Sequence, residues 1–320
     1  FVDHFFRDHE LIGRLPMEKG NRLHFVDSSS EPEVTRIDAF KEAVSAADSR
    51  TPCCVVGIGG GNALDTAKAV ANLLTNPGKA EDYQGWELVK NPAVYKIGIP
   101  TLSGTGSECS RTCVLTNIPK NLKLGMNSDY TVYDQLLLDP DLLATVPRDQ
   151  YFYTGIDTFM HCVESLQGSY RNAIIDAFSV RAVQLCEEIF LSDDMMSEEN
   201  REKMMIASYI GGMAAGNVGV IHPFSAGLGV VLHVAHGLGN CLALNVLGDI
   251  YPKEYKQFRT MIERQGVNLP TGICKDLTEE QYEGLYRGCI VHEKPLTNAL
   301  GPDFKQILTR ENLIERYKSI

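Results

Sequence analysis

Short apolar runs alternate with amphipathic segments through the first half of the chain. The apolar runs have the length of buried strands, and the segments between them repeat their apolar positions at helical spacing. Strands that alternate with helices predict a parallel α/β sheet. The predicted strands lie at 22–27, 53–59 and 95–101, and the predicted helices at 37–47 and 63–74.

The pattern changes from Pro147 onward. The segments of the second half have helical spacing and little strand signal, which predicts an all-helical domain over 148–320 and an α/β domain over 1–147. Pro140 and Pro147 mark the predicted boundary. The sequence opens on FVDHFF, which is typical of a strand end that enters a helix. We therefore expect a first strand to be missing from its start.

Composition excludes several classes of partner. Of the 320 residues 44% are hydrophobic, enough for a sizeable core, and the formal net charge of −11 argues against nucleic acid or an anionic membrane as the partner. Apolar runs such as GVVLHV are too short to span a bilayer. No signal peptide is visible, and the nine cysteines include no CxxC pair. Together these features predict a cytoplasmic protein with reduced thiols.

Two residues of the second half, Asp157 and His161, form a candidate for half of a metal site. They are spaced i, i+4, which places both side chains on one face of a helix. Such pairs also occur by chance as solvated or capping pairs. The stretch from His222 to His236 adds more imidazoles in apolar surroundings, where an idle ring is costly. One carboxylate and three imidazoles would complete the ligand set of a divalent transition metal.

The spacing of the two later histidines requires a break in the helix. On one continuous helix His222 and His236 would lie about 21 Å apart along the axis, too far to share an ion. Gly227 and Gly229 lie between them. We expect these glycines to interrupt the helix, so that the chain folds back and the two rings meet.

Two glycine-containing loops follow predicted strands in the first half. In GIGGGNALDTAK the residues Gly59, Gly60 and Gly61 allow close approach of a ligand, and Asn62 is a reasonable N-cap of a helix whose N-terminus favours a pyrophosphate. The spacing matches neither the G-x-G-x-x-G pattern nor a P-loop, so a tight turn is the alternative.

The second loop, IPTLSGTGSE, offers hydroxyls to a phosphate or a ribose, with a polar turn as the alternative. Asp27 ends the strand predicted at 22–27. An acid at that place accepts hydrogen bonds from ribose hydroxyls and repels a 2′-phosphate, although a turn acid explains it too.

In combination these motifs resemble the iron-containing (group III) alcohol dehydrogenases. GGGNALDTAK, PTLSGTGSE, LLDPDLLATVP, GIDTFMHCVE and H…HG-x-x-N occur in the order found in that family, which is related to dehydroquinate synthase. The resemblance covers nearly the whole chain. It implies an α/β N-terminal dinucleotide-binding domain with a parallel sheet, an all-α C-terminal metal-binding domain, hydride transfer from a primary alcohol to NAD, and a homodimer.

The resemblance also assigns roles to residues that match the family motifs. It implies one divalent metal, Fe²⁺ or Zn²⁺. The implied metal ligands are Asp157, His161, His222 and His236, the pyrophosphate loop is Gly59, Gly60, Gly61, Asn62 and Asp65, the second nucleotide loop is Thr101, Ser103 and Thr105, and the ribose-facing acid that favours NAD over NADP is Asp27.

The chain departs from the family pattern near the expected nicotinamide position. Family members commonly carry a histidine four residues after the third metal ligand, and this chain has Ala226 there. We expect the proton-relay role to pass to another group, with His233 as the candidate.

The histidine-rich stretch and HEKPLTNALG resemble the branch of the family that oxidises the C8 alcohol of 3-deoxy-D-manno-octulosonate in lipopolysaccharide biosynthesis. Such an acid needs cations, for which Lys123, Arg171 and Lys294 are candidates. A dehydrogenase of another small polyol or diol is one alternative. A lyase like dehydroquinate synthase is another, although 148–320 shows no obvious Arg and Lys cluster for a phosphate-bearing substrate. The last is a non-catalytic protein that keeps the fold.

Overall fold

The computed structural model describes residues 1–48 and 50–320 and divides the chain into two units. The first unit comprises Phe1–Leu102 and Ser107–Leu142, and the second comprises Ser103–Gly106 and Leu143–Ile320. The first unit is α/β and the second is helical, so the predicted fold class is confirmed.

A five-stranded parallel sheet forms the centre of the first unit. Its strand order is β2-β1-β3-β5-β8, and each neighbouring pair is parallel. The strands in chain order are β1 (Val2–Asp3), β2 (Phe25–Val26), β3 (Cys54–Gly59), β4 (Gly85–Trp86), β5 (Tyr95–Pro100), β6 (Thr112–Asn117), β7 (Leu122–Asn127) and β8 (Gln135–Leu136).

The three predicted strands and two predicted helices are all present, and the strand predicted at 22–27 is reduced to β2. The α-helices in the described part of this unit are α1 (Glu10–Arg14), α2 (Val34–Ala47) and α3 (Gly61–Leu73). Small residues such as Ala67 and Ala71 let α3 pack closely on the sheet, where Val55 and Val94 join the same buried cluster.

A second, three-stranded sheet contains a hairpin that the sequence pattern did not predict. Strands β6 and β7 pair antiparallel, and β4 adds to β7. The turn contains Asn121 in the left-handed conformation, with φ of 49°. Burial alternates along β6 in the structure, and the link NIPKN, with one proline and two asparagines, carries turn signals of the kind that join two strands.

Ten α-helices lie in the described part of the second unit, together with the 3₁₀-helix Gly212–Asn217. The α-helices are α4 (Arg148–Gln167), α5 (Ala173–Phe190), α6 (Glu198–Gly211), α7 (Ile221–Leu232), α8 (His236–Val246), α9 (Pro252–Gln265), α10 (Glu279–Ile290), α11 (Glu293–Leu300), α12 (Phe304–Ile307) and α13 (Arg310–Lys318). Helix α4 packs against α5, α6 and α8, and most of its length is buried.

Among the described residues, no single helix is long and apolar enough to cross a membrane. One bent pair, Glu198–Asn217 with Ile221–Leu232, meets the criteria by length and composition alone, with a bend of 91° between its halves.

The predicted helix break at Gly227 and Gly229 is wrong. Helix α7 runs through both glycines, and the chain turns only at His233. Gly227 serves close helix packing instead. A Cβ at this position would lie 2.7 Å from the Leu285 carbonyl oxygen, and a Cβ on Gly288 would lie 2.9 Å from the Gly227 Cα. The glycines therefore let the backbones of α7 and α10 touch.

Replacing Gly227 by alanine should therefore destabilise the second unit. The added methyl group has no room against the α10 backbone, and overpacking of this kind costs about 1–3 kcal/mol. We expect a fall of several degrees in the thermal unfolding midpoint measured by circular dichroism. Gly13→Ala is the matched control, because Gly13 is also helical and nothing lies within 4 Å of the place that its added methyl group would occupy. Equal midpoints for both variants would contradict this packing role.

Candidate functional site

Helix α4 carries three polar side chains on one buried face. Asp157, His161 and Glu164 are spaced four and then three residues apart, so they lie on the same side of the helix. All three are buried, with Asp157 at 0% and Glu164 at 1% exposure. Buried ionisable groups require partners, so this face must meet complementary groups from other elements.

Those partners are the histidines at the starts of two later helices. His222 lies in the first turn of α7, and His236 is the first residue of α8. The link between the helices turns through His233, whose φ of 55° is in the left-handed region. This turn, rather than the glycines, brings the two helix starts together.

Three imidazole Nε2 atoms converge on the Asp157 carboxylate. The His222 and His161 Nε2 atoms lie 3.1 and 3.8 Å from Asp157 Oδ1, and the His236 Nε2 atom lies 3.6 Å from Oδ2. One ligand atom from each of the four residues lies within 4.8 Å of all the others. The rings of His161 and His222 stack at 4.4 Å between centroids.

The pKa values of these groups reflect strong mutual coupling. Burial alone would raise the pKa of Asp157, but the positive charge available on the surrounding imidazoles holds that pKa well below its usual range. Burial lowers the pKa of His161 to about 3. Burial also opposes the charged form of His222, but Glu164 and Asp157 outweigh it and raise its pKa to about 9.

The cluster fits a divalent transition metal by its donor set. Carboxylate and imidazole ligands suit Fe²⁺ and Zn²⁺, and the four donor atoms lie within 4.8 Å of one another. The buried Asp157 Oδ2 atom makes no hydrogen bond to any residue in the described part of the chain. A buried carboxylate oxygen of this kind is costly unless a cation or proton satisfies it.

Two residues that contact the cluster lie within the quoted motifs, but the sequence assigned no role to either. Glu164 meets the His222 Nδ1 atom, and the Asn240 amide donates to Asp157 Oδ1 at 2.6 Å. The signal was present in both cases, because Glu164 is three residues after His161 and Asn240 is four after His236. Spacing alone does not separate a group that binds a metal from a group that holds a ligand in place.

The candidate proton relay lies outside this cluster. His233 is exposed at the C-cap of α7 and does not belong to the group of four converging side chains. Ala226, which stands where the family commonly has a histidine, is a buried residue of α7 with 6% exposure.

In the first unit the glycine loop has the backbone features of an anion site. Gly59 has φ of 149°, and a Cβ there would lie 2.9 Å from the Asp3 Cβ atom, so only glycine fits. Helix α3 begins at Gly61 and has no side-chain N-cap hydrogen bond. Its first-turn N–H groups can therefore face a phosphate.

The prediction that Asn62 caps this helix is wrong. The N-cap is Gly60, and Asn62 lies in the first turn. Its side-chain amide donates instead to the carbonyl oxygens of Ser28 and Ser30, at 3.4 and 3.0 Å. Asn62 thus ties the glycine loop to the segment that follows β2.

That segment holds the predicted ribose-facing acid. Asp27 and Asn62 line the same pocket, together with Ser30, Arg36 and Thr66. The Asp27 Oδ1 atom accepts the backbone N–H of the second residue after it at 3.0 Å, as in an Asx turn. Hydrogen bonds from that residue, Ser29, lower the pKa of Asp27, and Arg36 lies 3.7 Å from its Oδ2 atom.

Asp65 is turned into the protein rather than toward the pocket. Its carboxylate accepts the Ser107 hydroxyl and, at 2.8 Å, the Val114 N–H, and burial raises its pKa. The neighbouring Lys68 is fully buried and donates to the carbonyl oxygens of Ser107 and Ser110 at 2.8 and 3.1 Å. Asp65 and Lys68 therefore shape the loop from 107 to 114.

The residues of the predicted second nucleotide loop belong to both units. Thr101 is buried in the first unit, where its N–H donates to the Gly59 carbonyl at 3.0 Å. Ser103 and Thr105 belong to the second unit, where Ser103 is buried with 3% exposure. Between them Gly104 has φ of 142°, and its N–H donates to the Ser208 hydroxyl at 2.8 Å.

Lys123 and Arg171, two of the cations considered for an acidic substrate, each pair with a carboxylate. Lys123 pairs with Glu31 at 2.5 Å in the first unit. Arg171 pairs with Asp176 at 2.8 Å in the second. Lys294 is exposed on α11.

Comparison with known proteins identifies the family of both units. The family model described as "Iron-containing alcohol dehydrogenase" matches residues 9–140, and the family model for the C-terminal part of the Fe-containing alcohol dehydrogenases matches residues 151–284. A sulfoacetaldehyde reductase of Bilophila wadsworthia (strain 3_1_6) is 34% identical over 67% of this chain and 56% of the relative. The NAD-dependent methanol dehydrogenase of Bacillus methanolicus is 32% identical over 64% of this chain and 53% of the relative. The matches thus span little more than half the length of these relatives.

Solved structures share the fold over almost the whole chain. A sulfoacetaldehyde reductase from Bifidobacterium kashiwanohense in complex with NAD⁺ has a TM-score of 0.79 at 26% identity and covers 99% of this chain and 89% of that chain. An alcohol dehydrogenase from Oenococcus oeni has a TM-score of 0.83 at 21% identity, with 99% and 90% covered. From the two family models that together match both units, the chain belongs to the iron-containing alcohol dehydrogenase family.

Proposed function

We propose that this protein is a metal- and NAD-dependent alcohol dehydrogenase, which interconverts a small primary alcohol and its aldehyde. The observation that carries the proposal is the convergence of Asp157, His161, His222 and His236, whose ligand atoms lie within 4.8 Å of one another, with the first two residues buried and the two later histidines partly buried. These four residues are the proposed ligands of Fe²⁺ or Zn²⁺. A divalent cation bound there supplies Lewis-acid chemistry, which lowers the pKa of an alcohol.

Such a site must also exclude water and pass a proton to solvent, and groups of this chain can do both. The buried face of α4 excludes water around the Asp157 carboxylate, which strengthens every electrostatic interaction there. Exposed His233 is the proposed group that passes a proton to solvent.

The proposed redox partner is NAD. The positive-φ Gly59, the uncapped start of α3 and the pocket beside Asp27 form the proposed site for the pyrophosphate and the adenosine ribose. Thr101, Ser103 and Thr105 are the proposed second loop. The NAD⁺ complex of the sulfoacetaldehyde reductase from Bifidobacterium kashiwanohense supports this choice of cofactor.

For the substrate, we propose the C8 alcohol of 3-deoxy-D-manno-octulosonate, on the resemblance of the histidine-rich stretch and HEKPLTNALG to that branch of the family. The names of relatives supply the competing substrates: sulfoacetaldehyde, methanol and 1,3-propanediol. Lys123 and Arg171 already pair with carboxylates, so they give no support for an anionic substrate. The candidate substrates must therefore be compared directly by experiment.

Replacing His236 by alanine should weaken metal binding while His233→Ala leaves it unchanged. Loss of one of four ligands should lower the metal affinity by more than the roughly 10- to 100-fold that loss of a hydrogen-bond partner of a ligand typically causes. Competition of the purified apoprotein with a chromogenic chelator for Zn²⁺ measures this affinity. The two variants remove the same side chain three residues apart, so equal affinities would contradict the ligand assignment.

NADH formation, followed by its absorbance, should result when substrate is added to protein loaded with NAD⁺ and either Fe²⁺ or Zn²⁺. The panel contains 3-deoxy-D-manno-octulosonate, methanol, 1,3-propanediol and ethanol, with sulfoacetaldehyde tested in the reverse direction. We expect the octulosonate to give the highest kcat/KM. A higher kcat/KM for another member of the panel would support the dehydrogenase activity and contradict the octulosonate as its substrate. Binding of metal and NAD⁺ with no turnover of any member would contradict the dehydrogenase and favour a lyase.

Asp27→Ala should strengthen binding of NADP⁺ several-fold while leaving NAD⁺ binding weaker or unchanged. The carboxylate repels a 2′-phosphate, and its removal leaves Arg36 free to attract that phosphate. Quenching of intrinsic fluorescence measures both affinities. Asp48→Ala is the control, because Asp48 is another exposed acid of this unit that pairs with an arginine, Arg50. The same ratio of affinities in both variants would remove Asp27 from the nucleotide site.

A further inference from the structure

A second fully buried carboxylate, Glu164, lies beside the four-residue cluster. It is 1% exposed and sits one helical turn after His161 on α4. Isolated burial of an ionised carboxylate is very costly, so its hydrogen bonds account for its presence. Nothing in the proposed chemistry uses this group as a metal ligand or as a contact of substrate.

The closest contacts of Glu164 lead to the start of α7. Its Oε2 atom meets the His222 Nδ1 atom, and its Oε1 atom accepts the Ile221 N–H at 2.6 Å. The same carboxylate thus binds the backbone at the start of α7 and the ring of His222, which lies in the first turn of that helix.

Tyr251 supports Glu164 from the opposite side. Its hydroxyl donates to Glu164 Oε1 at 3.4 Å and accepts the Val220 N–H at 3.1 Å. Tyr251 is 2% exposed. Close packing is required here, because a Cβ on Gly219 would lie 2.5 Å from the Tyr251 hydroxyl and 3.1 Å from Glu164 Oε1. The carboxylate therefore has a fixed position rather than a choice of several.

These contacts determine which nitrogen of His222 carries a proton. An ionised carboxylate only accepts hydrogen bonds, so His222 Nδ1 must be the donor to Glu164. A neutral ring then has its lone pair on Nε2, which lies 3.1 Å from Asp157 Oδ1. A lone pair and a carboxylate oxygen at this distance repel each other unless a cation or a proton lies between them.

We propose that Glu164, held by Tyr251, is a positioning residue that fixes the Nδ1–H tautomer and the orientation of His222 toward the metal. This inference rests on the proposed metal site. The described residues offer no equivalent hydrogen bond to the Nδ1 atom of His161. Glu164 therefore acts on one ligand, and its loss weakens metal binding without removing a ligand.

The test is the metal affinity of Glu164→Gln, Tyr251→Phe and wild type, measured by chelator competition for Zn²⁺ on the apoproteins. Glutamine keeps the shape of Glu164, but it has only one accepting oxygen for the Ile221 N–H and the His222 Nδ1–H. We expect Glu164→Gln to weaken Zn²⁺ binding about 10- to 100-fold, as loss of an outer partner of a metal-bound histidine typically does. Tyr251→Phe should have a smaller effect in the same direction.

Tyr317→Phe is the matched control. Tyr317 is also a buried tyrosine whose hydroxyl holds α7, through the Phe224 carbonyl oxygen at 2.8 Å, but it has no contact with Glu164 among the described residues. We expect Tyr317→Phe to keep wild-type Zn²⁺ affinity, although it lowers the thermal midpoint of the apoprotein. If Glu164 and Tyr251 only stabilise the fold, their substitutions would likewise lower the thermal midpoint but leave the Zn²⁺ affinity of the folded protein unchanged.

Nitrogen-15 NMR of histidine-labelled, Zn²⁺-loaded protein adds a direct readout. In wild type we expect His222 to show one state, with Nδ1 protonated and Nε2 bound to the metal. In Glu164→Gln we expect this state to be no longer the only one. Wild-type affinity in folded Glu164→Gln would overturn the positioning role and leave the proposed function standing. If Glu164→Gln does not fold, Tyr251→Phe decides by the same criterion. Failure of wild type to bind Zn²⁺ or Fe²⁺ at all would instead overturn the proposed function.

Discussion

Burial of charge on α4 is the constraint on which the second unit depends. Asp157 and Glu164 are both excluded from solvent, two helical turns apart, and His222 lies between them with one ring nitrogen facing each carboxylate. Two buried negative charges must be balanced close by. Three neutral imidazoles cannot do this, whereas a divalent cation beside them would bring the formal charge of the group to zero. The same charges explain why the protein without a metal favours a protonated His222, with its pKa of about 9.

The positions of the histidines depend in turn on close approach of backbones. Gly227 lets α7 lie against α10, Gly219 leaves room for the Tyr251 hydroxyl, and Gly104 brings its loop within contact of the Thr154 carbonyl. None of these glycines belongs to the proposed metal ligands. They set how far apart the elements lie, and a small shift of α7 would move His222 relative to Asp157. In this unit the glycines thus act through distance between elements rather than through flexibility.

The sequence predicted the alternation of strands and helices, the helical second half and the four residues that converge, because each has a local periodicity or a motif. It did not predict what depends on contacts distant in sequence. Gly227 was interpreted as a helix breaker because the backbone that it packs against, at Leu285, lies on a helix far away in the sequence. Glu164 carried a helical spacing signal, but its function becomes visible only when His222 and Tyr251 meet it. Asn62 was interpreted as a cap because its acceptors, Ser28 and Ser30, lie on another segment.

Motif residues in the first unit divide into those that can face a ligand and those that hold the loop. Gly59 and the start of α3 present backbone groups that suit contact with a phosphate. Asp65 belongs to the same motif, yet both of its oxygens are bonded to the protein, and Lys68 is fully buried beside it. A match to a family motif therefore indicates the chemistry of a loop and not a contact by every residue in it. The role of each member follows from where its polar atoms point.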